Sequence, residues 1–250
     1  MRNLAVTVLS LLLLGGLVVV FPGLVPSALR PALTPALGGR LDPAPEAPRS
    51  GGTFAFSATQ PGRPRVPVTY SPCDPVRIEL NLDGAPDPVA DRASVERAVA
   101  RIAGATGLRL EVVGESTDRP RWTEGRVRLD PGVLRDPDPV LVSFADSDEV
   151  PQLQGRVAGL AGSVLVEQDG FRRYVTGQVT LDRDSFAELR DQPGGDEIAD
   201  AIALHELGHL VGLDHVDDPR ELMYATTTDQ RDLGPGDRRG LAALGRGRCG

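Results

Sequence analysis

The sequence predicts an α+β domain, a small mixed twisted sheet carrying two main helices and a further C-terminal helix. Three observations predict it. Val76–Leu82 and Leu108–Val113 alternate apolar and polar residues with the period of half-buried strands. Between them Val89, Ala93, Val95, Ala98, Val99 and Ile102 recur at helical spacing up to Gly107, a natural stop. Further strand-like runs then lead into a long amphipathic pattern over Asp196–Gly212, and strands layered with helices in this order bury one shared core.

The elements follow in order. Residues 1–21 hold one arginine, Arg2, and then an uncharged apolar run from Leu4 to Phe21. Such a run is an export signal over residues 1–28, either cleaved or retained as a single-span membrane anchor. Residues 29–66 are dense in Pro, Gly, Ala and Arg, which predicts a disordered spacer, because so little apolar area cannot offset the chain entropy of folding. The body is expected over residues 67–250. After the first strand, helix and strand, Val140–Phe144 reads as a third strand. Val164–Glu167 and Tyr174–Leu181 read as two more, joined through an Asp169-Gly170 turn. Asp196 is placed to cap the long helix, and a last helix should follow Pro235, through Leu241 to Leu244.

Charge narrows the function. The net charge of −8 divides into +4 over residues 1–66 and −12 over the remainder, and every basic residue is arginine. A body this acidic is a poor partner for phosphate, so nucleic-acid binding is not expected. The export segment predicts a body outside the cell, free or anchored to the membrane, and a monomer is expected.

The chemistry is concentrated in HELGHLVGLDH, residues 205–215. Residues four apart on a helix are turned by about 40° and displaced by about 6 Å, so His205 and His209 aim their rings at one place. A third imidazole six residues on would point away if the helix continued. Gly212 can end it in the left-handed conformation and let His215 swing back. Three neutral imidazoles with one open position make a catalytic rather than a structural zinc site. Glu206, between the two helical ligands, reaches the open position as a general base for a metal-bound water. The chain has three histidines in all, and each falls in this pattern.

These residues resemble the HExxHxxGxxH signature of the metzincin peptidases, and VDDPRELMY, residues 216–224, is similar to their Met-turn. The spacing from His215 to Met223, and Leu-Met-Tyr at the turn, make the matrixins the nearest branch. The resemblance implies a zinc endopeptidase whose cleft lies between an edge strand and the Met-turn segment. It implies that Met223 underlies the imidazoles without binding metal and that Tyr224 helps wall the pocket beyond the cut. It departs from the family in two respects: no histidine is left for a second, structural zinc, and the Pro-Arg-Cys-Gly type of latency motif is absent. Calcium is an open alternative, through Asp146, Asp148, Asp169, Asp182 and Asp184 near strand ends.

Other readings keep the metal but change the outcome: a zinc-holding binding module without turnover, or a zinc amidase acting on cell-wall peptides. Retention of Glu206 favours the enzyme. Asp214, Asp217, Asp218 and Glu221 suggest basic substrates or form only a solvated turn. The two cysteines, Cys73 and Cys249, stand at the two ends of the body, and an even count in an exported chain predicts a disulfide. The alternative is that Cys73, in Ser-Pro-Cys-Asp-Pro, acts as a thiol occupying the open metal position.

Overall fold

A computed structural model describes residues 39–123, 126–127, 137–226 and 228–249. The expected export segment, residues 1–28, and residues 29–38 of the expected spacer lie outside these. Among the described residues no helix is long and apolar enough to cross a membrane.

Two short pairings come first: β1 (Ala55–Phe56), then a hairpin of β2 (Thr59–Gln60) and β3 (Arg63–Pro67). β4 (Val76–Asn81), α1 (Pro88–Thr106) and β5 (Leu110–Glu115) form the anticipated strand–helix–strand unit, with β4 and β5 parallel. After a small hairpin of β6 (Trp122–Thr123) and β7 (Arg126–Val127) come β8 (Val140–Ala145), β9 (Gly159–Gln168) and β10 (Phe171–Asp182). α2 (Arg183–Arg190), α3 (Gly195–Val211), β11 (Leu213–Asp214) and α4 (Pro235–Leu244) complete the chain.

The main sheet has the order β5-β4-β8-β10-β9. Its first four strands are parallel and β9 runs antiparallel at the edge. β8 lies at the centre, with every residue but Leu141 buried, as its unbroken apolar run requires of a strand covered on both faces. Ile78, Leu80, Phe144 and Leu181 of the sheet meet Val95 and Ile102 of α1 and Leu207 and Leu210 of α3 in one core. α1 is capped at its start by Asp87, which accepts from the amides of Val89 and Ala90, and closed by Gly107 at φ 64°. The β9–β10 turn is Asp169-Gly170 with φ of 52° and 73°, the left-handed pair that matches the twist of a two-residue hairpin.

Three features differ from the sequence expectation. α3 begins after Gly194 (φ 76°) and has no side-chain cap; Asp196 lies in its first turn and pairs with Arg190 of α2. The two glycines let the chain reverse tightly after α2, which moves the helix start ahead of Asp196. α2 itself was not anticipated, since only Phe186 and Leu189 of its eight residues are buried and so short a stretch carries no clear period. Parts of the expected disordered spacer, residues 40–42 and 51–60, are packed on the body, while residues 61–66 are exposed. Arg40 donates to the carbonyls of Gly107 (2.8 Å) and Gly245, Arg109 pairs with Asp42 (2.9 Å), and β1 pairs with β11. Order here comes from backbone and guanidinium hydrogen bonds to distant residues, which composition does not register.

Cys73 and Cys249 are joined by a disulfide, with Cα atoms 5.3 Å apart across a separation of 176 residues. In the chain-entropy account, a bridge closing so long a loop typically contributes about 2–4 kcal/mol. Cys73→Ser should therefore lower the melting temperature by about 5–15 °C without raising basal activity. An unchanged melting curve accompanied by a burst of activity would instead support the thiol switch.

Candidate active site

α3 carries His205 and His209 on adjacent turns, and Gly212 ends it at φ 117° with its amide bonded to the carbonyl of His209 (3.0 Å). β11 then brings His215 round. The three Nε2 atoms converge: His205 to His209 3.1 Å, His205 to His215 3.2 Å and His209 to His215 3.0 Å. The other ring nitrogens are held by backbone. His205 Nδ1 donates to the carbonyl of Leu222 (2.7 Å), and His209 Nδ1 to that of Leu213 (2.9 Å). A carbonyl only accepts, so on these two rings the proton sits on Nδ1 and the Nε2 lone pair faces its neighbours. Burial, then the nearby His209, pushes His205 down to about 3, and burial also lowers His209. The rings are thus kept neutral, the form that binds metal.

Lone pairs crowded together without a proton between them repel, and a cation among them removes the conflict. A tetrahedral ion with nitrogen ligands at about 2.0–2.1 Å spaces those nitrogens about 3.3 Å apart, close to what is found. The residues fit zinc, and among the described residues they are the group of metal-ligand types close enough to share an ion. Four of the five acids considered for calcium have other places in the fold. Asp146 pairs with Arg183 and accepts from the amides of Asp148 (3.0 Å) and Glu149 (2.9 Å). Asp182 caps α2 through Ser185 (2.9 Å), Asp169 forms the hairpin turn, and Asp184 stands in the first turn of α2.

Glu206 is buried, and burial pushes its carboxyl up to about 8. Gly159, the first residue of edge strand β9, lies directly against it. A Cβ there would stand 2.7 Å from Glu206 Cγ and 3.0 Å from Cδ.

Met223 is buried beneath α3, where a Cβ on Gly208 would come 2.7 Å from its sulfur. It therefore packs on the helix backbone between the two helical histidines. The turn is closed by the Val216 amide bonding to Met223 O (3.0 Å), with half-buried Tyr224 bridged to Val216 just beyond. Of the four acids around this turn, Asp214 and Asp217 face solvent and Asp218 pairs with Arg220 (2.8 Å). Glu221 is buried and does not face a substrate: it accepts from the amides of Gly236 (2.9 Å) and Asp237 (3.0 Å) at the start of α4. Asp237 answers it, accepting from Leu222 (2.6 Å), Gly234 (2.8 Å) and Met223 (3.4 Å). Sequence reasoning missed Asp237 and misread Glu221. The available signal was an acid in the first turn of a helix that begins Gly-Pro-Gly.

The sheet with an antiparallel edge strand, the helix bearing two histidines, the third after a glycine break and the methionine turn beneath them are arranged as the resemblance to the metzincins implies, and they fit a metallopeptidase. The comparison with known families agrees: the model of the family described as Matrixin matches residues 140–244, from β8 through α4. Among solved structures, the chain is similar to metalloproteinase-II from Bacteroides fragilis, with 16% identity, a TM-score of 0.33 and coverage of 77% of this chain and 52% of that one. The chain thus spans about half the length of that structure. No curated protein matches.

Proposed function

We propose that the chain is an exported zinc endopeptidase. The observation that carries this reading is the convergence of three Nε2 atoms within 3.2 Å, together with the buried carboxyl of Glu206, next in the chain to His205 and set against the edge strand. His205, His209 and His215 would hold the ion, which when bound acidifies a water and polarises the scissile carbonyl. Glu206 accepts the proton released in attack and returns it to the departing amine. Its burial favours the protonated carboxyl, and positive charge alongside favours the carboxylate, so the same group can serve in both directions. A binding module has no use for a base at this place.

Among the described residues β9 is bonded on one side, to β10, and its other edge would offer main-chain groups to an extended peptide. Adding the substrate as a further strand lets one cleft accept many sequences. The uncharged run Leu4–Phe21 supports export, cleaved or anchored, with the domain outside the cell.

Mass-spectrometric mapping of a peptide library digested with the zinc-loaded protein tests the reading. Internal cuts that vanish on chelation and return with zinc are expected; release of terminal residues only, or no cleavage, would overturn it. N-methylation of single substrate amides should hinder cleavage at alternate positions, whereas indifference at every position would argue against strand addition.

The contact of Gly159 with Glu206 adds a further expectation. Gly159→Ala must displace either the carboxylate or the start of β9, so kcat should fall tenfold or more, on the order expected for a misplaced catalytic group. Zinc content should not change. Wild-type kcat in this variant would mean that the carboxylate position is not critical.

A further inference from the structure

The segment 51–57, which composition reads as spacer, touches the metal centre at its outer supports. β1 pairs antiparallel with β11, Ala55 opposite Asp214 and Phe56 opposite Leu213, immediately before His215. The Ser57 amide donates to Gly212 O (3.0 Å), a carbonyl beyond the end of α3. The Ser57 hydroxyl donates to Leu213 O (2.7 Å), the same oxygen that receives His209 Nδ1 (2.9 Å). At the other end of the segment Arg239 of α4 donates to Gly51 O (3.0 Å) and lies over the Phe54 ring, 5.3 Å from its centroid. Gly52 packs on the Glu221 carboxylate.

We propose that residues 51–57 are a strap that fixes the metal centre from outside, with Ser57 as a positioning residue for His209. The inference rests on the zinc reading of the three histidines. A carbonyl oxygen has two lone pairs. With one given to the imidazole and the other to the serine hydroxyl, the direction of Leu213 O is set from both sides, and with it the plane of the His209 ring. His205 hangs from a different carbonyl, that of Leu222, which Ser57 does not touch, so the two histidines provide an internal comparison. Groups directly behind a metal ligand typically alter affinity 10–100-fold. Ser57 acts one step further out, and a smaller effect is expected.

The test uses the full chain and its Ser57→Ala and Ser57→Thr variants. Zinc affinity is measured by competition with a chelator, exchange of the His205 and His209 Nδ1 protons by NMR on metal-free protein, and melting of the metal-free protein as a control. Ser57→Ala should weaken zinc about threefold to tenfold and speed exchange at His209 but not at His205. Its metal-free melting temperature should stay within about 2 °C, and Ser57→Thr should restore affinity. Unchanged affinity in Ser57→Ala, or equal loosening of both histidines, would overturn the strap's role. Failure of the unsubstituted chain to bind zinc would instead overturn the zinc reading itself.

Discussion

Glu206→Gln is expected to keep zinc at full occupancy and to lose peptide cleavage by about 10²–10⁴-fold, the usual contribution of a positioned general base. Glutamine has the same shape, so the contact with Gly159 and the packing of α3 survive while the capacity to take a proton does not. The three Nε2 atoms gain nothing from the carboxylate in geometry: two are oriented by Leu213 and Leu222 carbonyls, at 2.9 and 2.7 Å. His209→Ala should behave differently, losing both zinc and activity, because a ligand is removed. Zinc content by atomic absorption, measured beside hydrolysis of casein or a quenched peptide, separates the two variants. Full activity in Glu206→Gln would sink the proposed mechanism. Loss of zinc from that variant would show that the carboxylate serves the metal and not the proton.

What the sequence made legible was whatever a local period or fixed spacing encodes. His205, His209, Gly212 and His215 lie within eleven residues, and helical geometry with one glycine break is enough to bring their rings together. β4, α1 and β5 are legible because Val76–Leu82 and Val95–Ile102 carry clean periods and Gly107 marks the stop that the helix uses, although Val89, read on the same apolar side, is exposed. Elsewhere the partner lies far along the chain. Nothing around Ser57 hints that it bonds to Leu213, 156 residues away. Nothing in GGTFAF, set in a Pro- and Gly-rich stretch, indicates that its backbone pairs with the segment before His215. β9 was recognised over only part of its length, since Gly159, Ala161 and Gly162 carry little β propensity; yet Gly159 is where absence of a side chain leaves room for Glu206. Glu221 illustrates the same difficulty. In a run of acids it read as surface charge, whereas its carboxylate is buried against a helix start 15 residues on.

Asp237→Ala is expected to be the most damaging substitution away from the metal ligands. The carboxylate is fully buried and joins two elements: it accepts from Gly234 at the head of its own helix and from Leu222 and Met223 in the turn beneath the histidines. Burial raises its pKa, against the amide hydrogen bonds that favour the charged form. Alanine would leave the amides of Leu222 and Gly234 without a partner in the interior, and weaken the hold on Met223. At about 1–3 kcal/mol for each unsatisfied donor, the cost is about 3–5 kcal/mol, which for a domain of this size lowers the melting temperature by about 10–15 °C. The effect should reach the metal as well. Leu222 supplies the carbonyl for His205 Nδ1, so loosening its amide frees that ring, and zinc affinity should fall further than it does for an equally destabilising change remote from the turn. Cys73→Ser provides that comparison, because the Cys73–Cys249 bridge lies outside this network. Chelator competition and thermal melting on both variants decide the matter. If Asp237→Ala melts within about 3 °C of the unsubstituted chain, or loses no more affinity than Cys73→Ser at matched stability, then the turn is held by packing of Met223 on Gly208 rather than by the carboxylate.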